Sequence, residues 1–367
     1  MPGMKTAIVC SWLNQYGGAE RVLEVVHRMY PEAPVYTSVF HPGALPSTYQ
    51  SWDIRPSFLN RLPGSRTHHR WFLPLYPFAF EQLDLSEYDL VLSVTSAFAH
   101  GVLTSPDTLH ICYCLTPARF LWDYAHYAAR EELGPLRVFM PLLLYNLRLW
   151  DRMAADRVDE FVAISAVVRQ RIRKHYRRNA EIIFPPVDVN RIPLSSEKGD
   201  YFLIISRLVP YKRIDLAVRA FTALGLRLWI IGEGRDRHAL EAMAGPSVHF
   251  LGPLSDEETS RHLAGCRAFV LPGEEDFAMA PVEAQAAGRP VIAYAAGGAL
   301  ETVIDGTTGV FFDQPTPESL AEAVGRLDHL DFDPDTIRQN ALRFDRESFE
   351  ERFARLVSSR YQAFRNA

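Results

Sequence analysis

The sequence predicts an α/β protein with two domains, each a parallel sheet whose strands alternate with helices. The chain has 367 residues, which is more than one ordinary domain needs. Two series of short apolar strands and amphipathic helices follow one another, the first from residues 5–10 and the second from residues 201–206. Between them, residues 184–188 contain Pro185 and Pro186, which exclude a helix and stiffen the chain. We therefore expect the domain boundary at this proline pair.

The composition is typical of a folded protein and argues against nucleic-acid binding. Hydrophobic residues make up 48% and charged residues 23% of the chain, as in ordinary globular proteins. The formal net charge is −5, and an acidic chain is repelled by nucleic-acid phosphates. Residues 7–10 are too short an apolar run for a signal peptide, and no run reaches the roughly 18 residues that span a bilayer. We therefore expect a cytoplasmic protein, either free or at the inner face of the membrane.

The four cysteines are predicted to be thiols of the core. Cys112 and Cys114 form the only close pair, and they lie in an apolar strand. Residues two apart on a strand share a face but seldom form a disulfide, and no further metal ligands stand beside them. The chain also has no Asp-x-Asp sequence at the end of a strand. No bound metal is therefore expected.

One stretch of the second half has the order strand, acidic loop, helix and strand. The strand Ala268–Leu271 is followed by a loop that contains Glu275, and a helix is predicted over residues 282–287. The strand Val291–Tyr294 completes the unit. The free N–H groups at the start of this helix favour a phosphate. Glu283, on the first turns of the helix, lies where it can bend back toward such a ligand.

Two further loops carry groups that suit phosphates. Gly17 and Gly18 connect the first strand to a helix, and glycines let backbone N–H groups approach a ligand closely. Arg207 and Lys212 lie between the strand of residues 201–206 and the amphipathic helix predicted at Ile214–Leu224. Each cation at about 4 Å from a phosphate gains on the order of 4 kcal/mol before desolvation, in an effective dielectric of about 20. Cations placed there would stabilise a departing diphosphate.

These blocks together resemble a known family. Glu275 and Glu283 resemble the Glu-x7-Glu signature of the retaining glycosyltransferases of family 4, and Arg207 with Lys212 resembles their Arg-x4-Lys motif. Residues 113–123 resemble the Tyr-Cys-His-Thr-Pro-x-Arg-Tyr-x-Trp-Asp block of bacterial mannosyltransferases of surface-polysaccharide assembly. The family has the GT-B fold, in which two Rossmann-like domains face each other across a deep cleft. The resemblance covers nearly the whole chain.

The resemblance implies a domain organisation and a set of functional residues. Residues 1–184 would form the acceptor-binding domain, residues 185–345 the nucleotide-sugar-binding domain, and residues 346–367 a helix that packs back on the first domain. The catalytic residues would be Arg207 and Lys212, which bind the diphosphate, and Glu275, which binds hydroxyls of the donor sugar. Residues implied to bind the donor are Gly17, Gly18, Gly232, Phe277, Ala278, Met279 and Glu283, where Glu283 holds the ribose.

The implied reaction is transfer of a sugar with retention of the anomeric configuration and without a metal or other cofactor. The nucleotide-sugar is the substrate, with GDP-mannose expected first and UDP-sugars next. The acceptor would be a growing surface glycan or a glycan on a polyprenyl diphosphate. A subunit that binds nucleotide-sugar with weak catalysis is one alternative, and a sugar-nucleotide epimerase is another.

The chain departs from the family pattern at two positions. Leu115 stands where the family has the His that contacts the donor sugar, and Ala278 stands where it usually has Gly. His100 ends a neighbouring strand and is a candidate replacement, although a plain surface His fits at least as well. The candidate residues on the acceptor or sugar side are His100, Tyr113, Arg119 and Asp123.

Two apolar stretches are open to two interpretations. Residues 58–80 mix Arg61, Arg66 and Arg70 with bulky apolar groups, which suits contact with an anionic membrane or a lipid acceptor. The alternative is that residues 71–80 form an ordinary core helix kinked by Pro74 and Pro77. Residues 136–150 are interrupted by charges and a proline, so an interior or interfacial helix is expected rather than a membrane span.

Overall fold

The computed structural model describes residues 4–123, 140–197 and 199–366. Residues 136–139 of the apolar stretch noted above therefore lie outside the described residues. The chain divides into two compact units. Unit 1 comprises Met1–Phe184 with Glu350–Ala367, and unit 2 comprises Pro185–Phe349.

Unit 1 is built on a parallel sheet, which has seven strands in the described part of the chain. In chain order the strands are β1 Thr6–Cys10, β2 Val35–Thr37, β3 Ile54–Pro56, β4 Leu90–Thr95, β5 Leu109–Cys114, β6 Glu160–Ala163 and β7 Ala180–Ile182. Their order across the sheet is β3-β2-β1-β4-β5-β6-β7. Every residue of β1, β4 and β5 is buried, as the near-continuous apolar runs of a sheet covered on both faces require.

The helices of unit 1 connect these strands. They are α1 Gly18–Met29, α2 Tyr76–Glu81, α3 Arg119–Trp122, α4 Met140–Ala154 and α5 Ala166–Arg171. A 3-10 helix, His69–Leu75, leads directly into α2, with Pro74 inside it. Residues 71–80 are therefore helical, but they do not form one ordinary core helix, because the first part is a 3-10 helix and Trp71 and Phe78 are exposed. No helix among the described residues is long and apolar enough to cross a bilayer.

Unit 2 repeats the architecture with a six-stranded parallel sheet. Its strands are β8 Tyr201–Ile205, β9 Arg227–Ile231, β10 Val248–Gly252, β11 Ala268–Leu271, β12 Val291–Tyr294 and β13 Gly309–Phe312. Their order is β10-β9-β8-β11-β12-β13. Strand β8 therefore lies at the centre, between β9 and β11, so the loops that follow these three strands meet at one edge of the sheet.

Helices cover both faces of this second sheet. They are α6 Ile214–Leu224, α7 Arg237–Met243, α8 Asp256–Gly265, α9 Met279–Ala286, α10 Ala299–Thr302, α11 Pro317–Leu327 and α12 Pro334–Leu342. Helix α9 is buried almost all round, because it packs closely on α12. Its small alanines allow that approach, and Gln285 donates to the carbonyl of Thr302 at 2.9 Å.

The last helix, α13 Arg346–Arg365, begins in unit 2 and continues in unit 1. Within unit 1, Phe353 packs edge-on against Tyr113, with ring centroids 5.8 Å apart. Arg352 donates to the carbonyl of Ile182 at 2.9 Å, and Arg360 lies 3.2 Å from Glu160. These contacts attach the helix to the last strands of the first sheet.

The four cysteines are free and buried, which confirms their prediction as core thiols. The imidazole of His110 on β5 is fully buried as well. Its Nε2 lies 2.8 Å from the hydroxyl of Ser93, whereas its Nδ1 has no hydrogen-bond partner among the described residues. Burial, with a smaller contribution from His100, lowers the pKa of His110 from 6.5 to about 3.

We predict that His110→Gln flattens the pH dependence of unit 1 stability. Because the folded pKa lies below the unfolded value, the neutral imidazole favours the fold above pH 6.5, and this contribution is lost as the pH falls toward about 3. In this range the free energy of unfolding changes by up to about 1.4 kcal/mol per pH unit. Urea unfolding of the wild type and the variant across this range measures the difference. Exposed His68→Gln is the matched control, and equal slopes for wild type and His110→Gln would refute the prediction.

Candidate functional site

The loops after β8 and β11 bring an opposite pair of charges together in unit 2. Lys212, in the loop after β8, donates to Glu275, in the loop after β11, and the two form an ion pair. Their side chains are only 16% and 15% exposed. A pair so far removed from water is stable together, but removing one partner leaves a costly buried charge. The ammonium of Lys212 also lies 5.1 Å from the centre of the Tyr211 ring.

The close approach of these loops depends on Gly273. A Cβ at this position would lie 2.7 Å from the carbonyl oxygen of Lys212, which is closer than real contacts allow. On its other side, the Glu275 loop is held by the turn before α10. The amide of Gly298 donates to the carbonyl of Glu275 at 2.8 Å. The backbone of Glu275 is therefore held by this turn, next to the point where Gly273 approaches the loop of Lys212.

A third loop, after β9, supports the loop that carries Arg207. The amide of Leu208 donates to the carbonyl of Glu233 at 2.9 Å. Gly232 has φ of +129°, and a Cβ there would lie 2.0 Å from the carbonyl oxygen of Ser206. Arg207 itself is exposed and donates to the hydroxyl of Tyr211 at 2.9 Å. The structure thus places Arg207, Lys212, Gly232 and Glu275 at one edge of the sheet.

The start of α9 completes this edge. The helix begins at Met279, three residues before the predicted start, so its free N–H groups directly follow the Glu275 loop. Phe277 is buried against Phe344, with ring centroids 5.5 Å apart. Glu283 lies in the second turn of the helix and is buried. The helix terminus can stabilise an anion beside Lys212.

Ala278, at the N-cap of α9, has a strained backbone. Its φ is +67° and its ψ is 98°, a conformation that residues with a Cβ rarely adopt. An alanine also supplies no side-chain cap. Alanine in place of the family's Gly therefore strains the backbone at this position.

In unit 1, a cavity of about 40 Å³ lies beside the start of α1. It is lined by groups from the ends of β1, β4 and β5 and from α1, among them Ser11, Trp12, Glu20, Ser96 and Leu115. Gly17 is the N-cap of α1 in extended conformation, and Gly18 is its first residue. The Glu20 carboxylate would lie 3.5 Å from a Cβ on Gly17. Leu115, which replaces the family's His, faces this cavity.

His100 and Tyr113, two candidates for the sugar side, lie in the interior of unit 1 instead. His100 is buried 3.4 Å from Asp151 of α4, and Trp122 donates to the other carboxylate oxygen at 2.8 Å. Burial raises the pKa of Asp151, while the nearby His100 opposes that rise. The hydroxyl of Tyr113 donates to the carbonyl of Ile183 at 2.9 Å. Neither residue lines the cavity, which corrects the placement expected for His100.

Arg119 and Asp123 lie at the two ends of α3. The guanidinium and the carboxylate are 3.9 Å apart, and both side chains are partly exposed. No group of three or more acidic, His or Cys side chains within the described ranges is arranged to hold a metal ion.

Sequence reasoning missed Gly273, Gly298 and Asp151. The Gly297-Gly298 pair was visible as a turn, but its packing partner lies more than 20 residues earlier in the chain. The contact of Asp151 with His100 could not be predicted for the same reason, because the two residues are 51 positions apart in the chain. Each of these roles depends on contacts between distant segments.

Solved structures share the fold of this chain. The structure superposes on lipopolysaccharide outer core galactosyltransferase WaaB in its apo form, with a TM-score of 0.69 and 17% identity over 97% of this chain and 100% of that one. It also superposes on sucrose-phosphate synthase from Thermosynechococcus elongatus, with a TM-score of 0.76 and 16% identity over 98% of this chain and 100% of that one. The chain therefore has the GT-B fold of two Rossmann-like sheets.

The sequence comparison is more specific for unit 2. Residues 188–343 match the family of group 1 glycosyl transferases. The chain is 27% identical over 207 residues to an uncharacterized glycosyltransferase of Methanocaldococcus jannaschii, covering 54% of this chain and 58% of that one. It is 30% identical over 208 residues to the GDP-mannose-dependent alpha-(1-6)-phosphatidylinositol monomannoside mannosyltransferase of Mycolicibacterium smegmatis, covering 48% and 54%. The chain thus spans less than two thirds of the length of these relatives, and the match to group 1 glycosyl transferases is confined to residues 188–343.

We predict that Ala278→Gly raises the free energy of unfolding of unit 2 by about 1 kcal/mol. Removing the Cβ of a residue with a left-handed backbone stabilises the fold by about 1–2 kcal/mol. Part of this gain is offset because glycine has more conformational freedom in the unfolded chain. Chemical denaturation measures the change. In the matched variant Ala284→Gly, inside the same helix, we expect a loss of about 1 kcal/mol. A destabilised Ala278→Gly protein would show that the backbone at this position is not strained.

Proposed function

We propose that this chain is a metal-independent, retaining glycosyltransferase of family 4. The observation that carries the proposal is the Lys212–Glu275 pair at the start of α9, inside the residues that match group 1 glycosyl transferases. A nucleotide-sugar presents a diphosphate to a cation and sugar hydroxyls to a carboxylate. It therefore provides a partner for each member of the pair at once.

In the proposed reaction, Arg207, Lys212 and the start of α9 neutralise the donor diphosphate. Glu275 accepts hydrogen bonds from the donor sugar, and Glu283 accepts them from the ribose. The acceptor oxygen bonds to the anomeric carbon while the bond from that carbon to the diphosphate oxygen breaks. The acceptor proton passes to the departing phosphate on the same face. The cations stabilise charge that grows as the diphosphate leaves, which is where fixed positive groups have most effect.

We propose GDP-mannose as the donor and a lipid-linked or surface glycan as the acceptor. Support comes from the Mycolicibacterium smegmatis relative, whose name specifies both a GDP-mannose donor and a phosphatidylinositol mannoside. A Mycobacterium tuberculosis relative, 33% identical over 126 residues, is named a GDP-mannose-dependent alpha-mannosyltransferase. A UDP-sugar remains the alternative donor. The reaction would take place at the cytoplasmic face of the membrane.

A subunit that binds nucleotide-sugar with weak catalysis is the second candidate. Two observations favour it. Leu115 presents an aliphatic side chain to the cavity of unit 1, where the family has a His. Ala278 introduces strain beside Glu275. This candidate differs from the first in one measurable respect, since it binds donor without transferring or hydrolysing it.

We predict that Lys212→Met weakens binding of the cognate nucleotide-sugar about 10- to 100-fold, because a charge-assisted contact to a phosphate is lost. A panel of GDP- and UDP-sugars, screened by thermal shift and by hydrolysis, identifies the cognate donor. Isothermal titration then measures the affinity of each variant.

Arg219→Met, which removes an exposed cation on α6, is the matched control and should bind normally. Equal affinities of the two variants for the nucleotide-sugar would show that Lys212 does not contact the donor. Binding of a donor by the wild type with neither hydrolysis nor transfer would favour the second candidate.

A further inference from the structure

Three large apolar side chains are exposed along the helical segment from His69 to Glu81. Trp71 is 80% exposed, Phe78 is 54% exposed, and Leu75 is also exposed. Leu75 and Phe78 are three residues apart at the start of α2 and share a face, whereas Trp71 is exposed in the 3-10 helix that precedes α2. Tyr76 is fully buried in the core. These three exposed side chains, Trp71, Leu75 and Phe78, are here named stripe A.

Helix α4 carries a second stripe of the same kind, here named stripe B. Leu142 and Met153 are 64% and 65% exposed, and Tyr145 and Leu149 lie between them on the same face. The face opposite contains buried Leu144, Leu147, Asp151 and Ala154. A helix at a protein surface normally turns polar residues outward. Stripe B is therefore as unusual as stripe A.

The two stripes lie on elements that are bonded to each other. The indole of Trp150 on α4 donates to Glu81 on α2 at 2.8 Å. The ring of Phe98 lies 4.9 Å from Tyr76 and 5.8 Å from Trp150. The elements that carry the two stripes are therefore linked to each other. Exposed apolar side chains concentrated in this way mark an interaction site.

The charges on the segment of stripe A have one sign. No acidic residue occurs between Asp53 and Glu81, whereas Arg61, Arg66 and Arg70 are all exposed. Glu81 is bound by Trp150 and by Arg157 at 2.6 Å. The only carboxylate of α4, Asp151, is buried. The segment of stripe A is therefore complementary to an anionic partner.

The segment of stripe A is also attached to the predicted acceptor edge of unit 1. Asn14, in the loop after β1, donates to the carbonyl of Arg66 at 3.0 Å. Trp12 of the same loop packs on His69, with ring centroids 4.9 Å apart, and it lines the cavity beside α1. A partner that covers stripe A therefore comes close to that cavity.

We propose that stripes A and B are a docking surface for an anionic lipid bilayer. Aromatic and aliphatic side chains enter the boundary between head groups and acyl chains, and the arginines bind lipid phosphates. This inference stands on unit 1 alone. Only its use in catalysis, delivery of a lipid-linked acceptor to the cavity, rests on the proposed function.

Flotation of the full-length protein with phosphatidylcholine vesicles, with and without phosphatidylglycerol, tests the surface. We expect binding that requires phosphatidylglycerol and decreases with salt. Trp71→Ser with Phe78→Ser, and Leu142→Ser with Leu149→Ser, should each lower the partition coefficient about tenfold or more. Leu300→Ser, at a leucine of unit 2 that is 57% exposed, is the matched control and should float like the wild type.

Donor binding in solution is measured on the same variants and should be unchanged, so failure of the membrane surface is distinguishable from failure of the donor site. Wild-type protein that does not float with anionic vesicles, or stripe variants that float normally, would overturn the proposal. So would self-association in sedimentation experiments that the stripe variants abolish without any change in flotation, because the surface would then bind a second copy of the chain.

Discussion

The candidate site depends on the ion pair between Lys212 and Glu275. Each charge is largely removed from water, so each requires a partner of opposite charge or a set of hydrogen bonds. In the structure they satisfy one another. Under the proposed function, a nucleotide-sugar would offer an anion to the lysine and hydroxyls to the carboxylate. A simple phosphate or a simple sugar would satisfy only one of the two charges.

The parallel sheet of unit 2 brings Lys212 and Glu275 together. Because β8 lies between β9 and β11, three loops share one edge, and Gly273 allows the backbones of two of them to touch. Helix α9 adds the partial positive charge of its first turn. The strain at Ala278 is located at the same place, as is common where a backbone is held in position for a ligand. The ion pair, the partial positive charge of the helix terminus and the strained backbone of Ala278 therefore all lie at the start of α9.

Much of this arrangement was predictable from local sequence. The helices Ile214–Leu224 and Asp256–Gly265 follow from their apolar periodicity and caps, and the GT-B fold is confirmed by the structure. Local pattern could not show that α9 begins at Met279, because the left-handed backbone of Ala278 is imposed by packing. Nor could it show that His100 is buried against Asp151, since burial depends on a helix 51 residues away.

The measurement that tests the ion-pair account most directly is a comparison of two ligands on Glu275→Gln. The affinities of the wild type and the variant are measured for the free nucleoside diphosphate and for the matching nucleotide-sugar. Loss of the carboxylate releases Lys212 for the phosphates and removes the contact to sugar hydroxyls. The account predicts that the variant binds the diphosphate as well as or better than the wild type but binds the nucleotide-sugar more weakly. An equal loss of affinity for both ligands would contradict it.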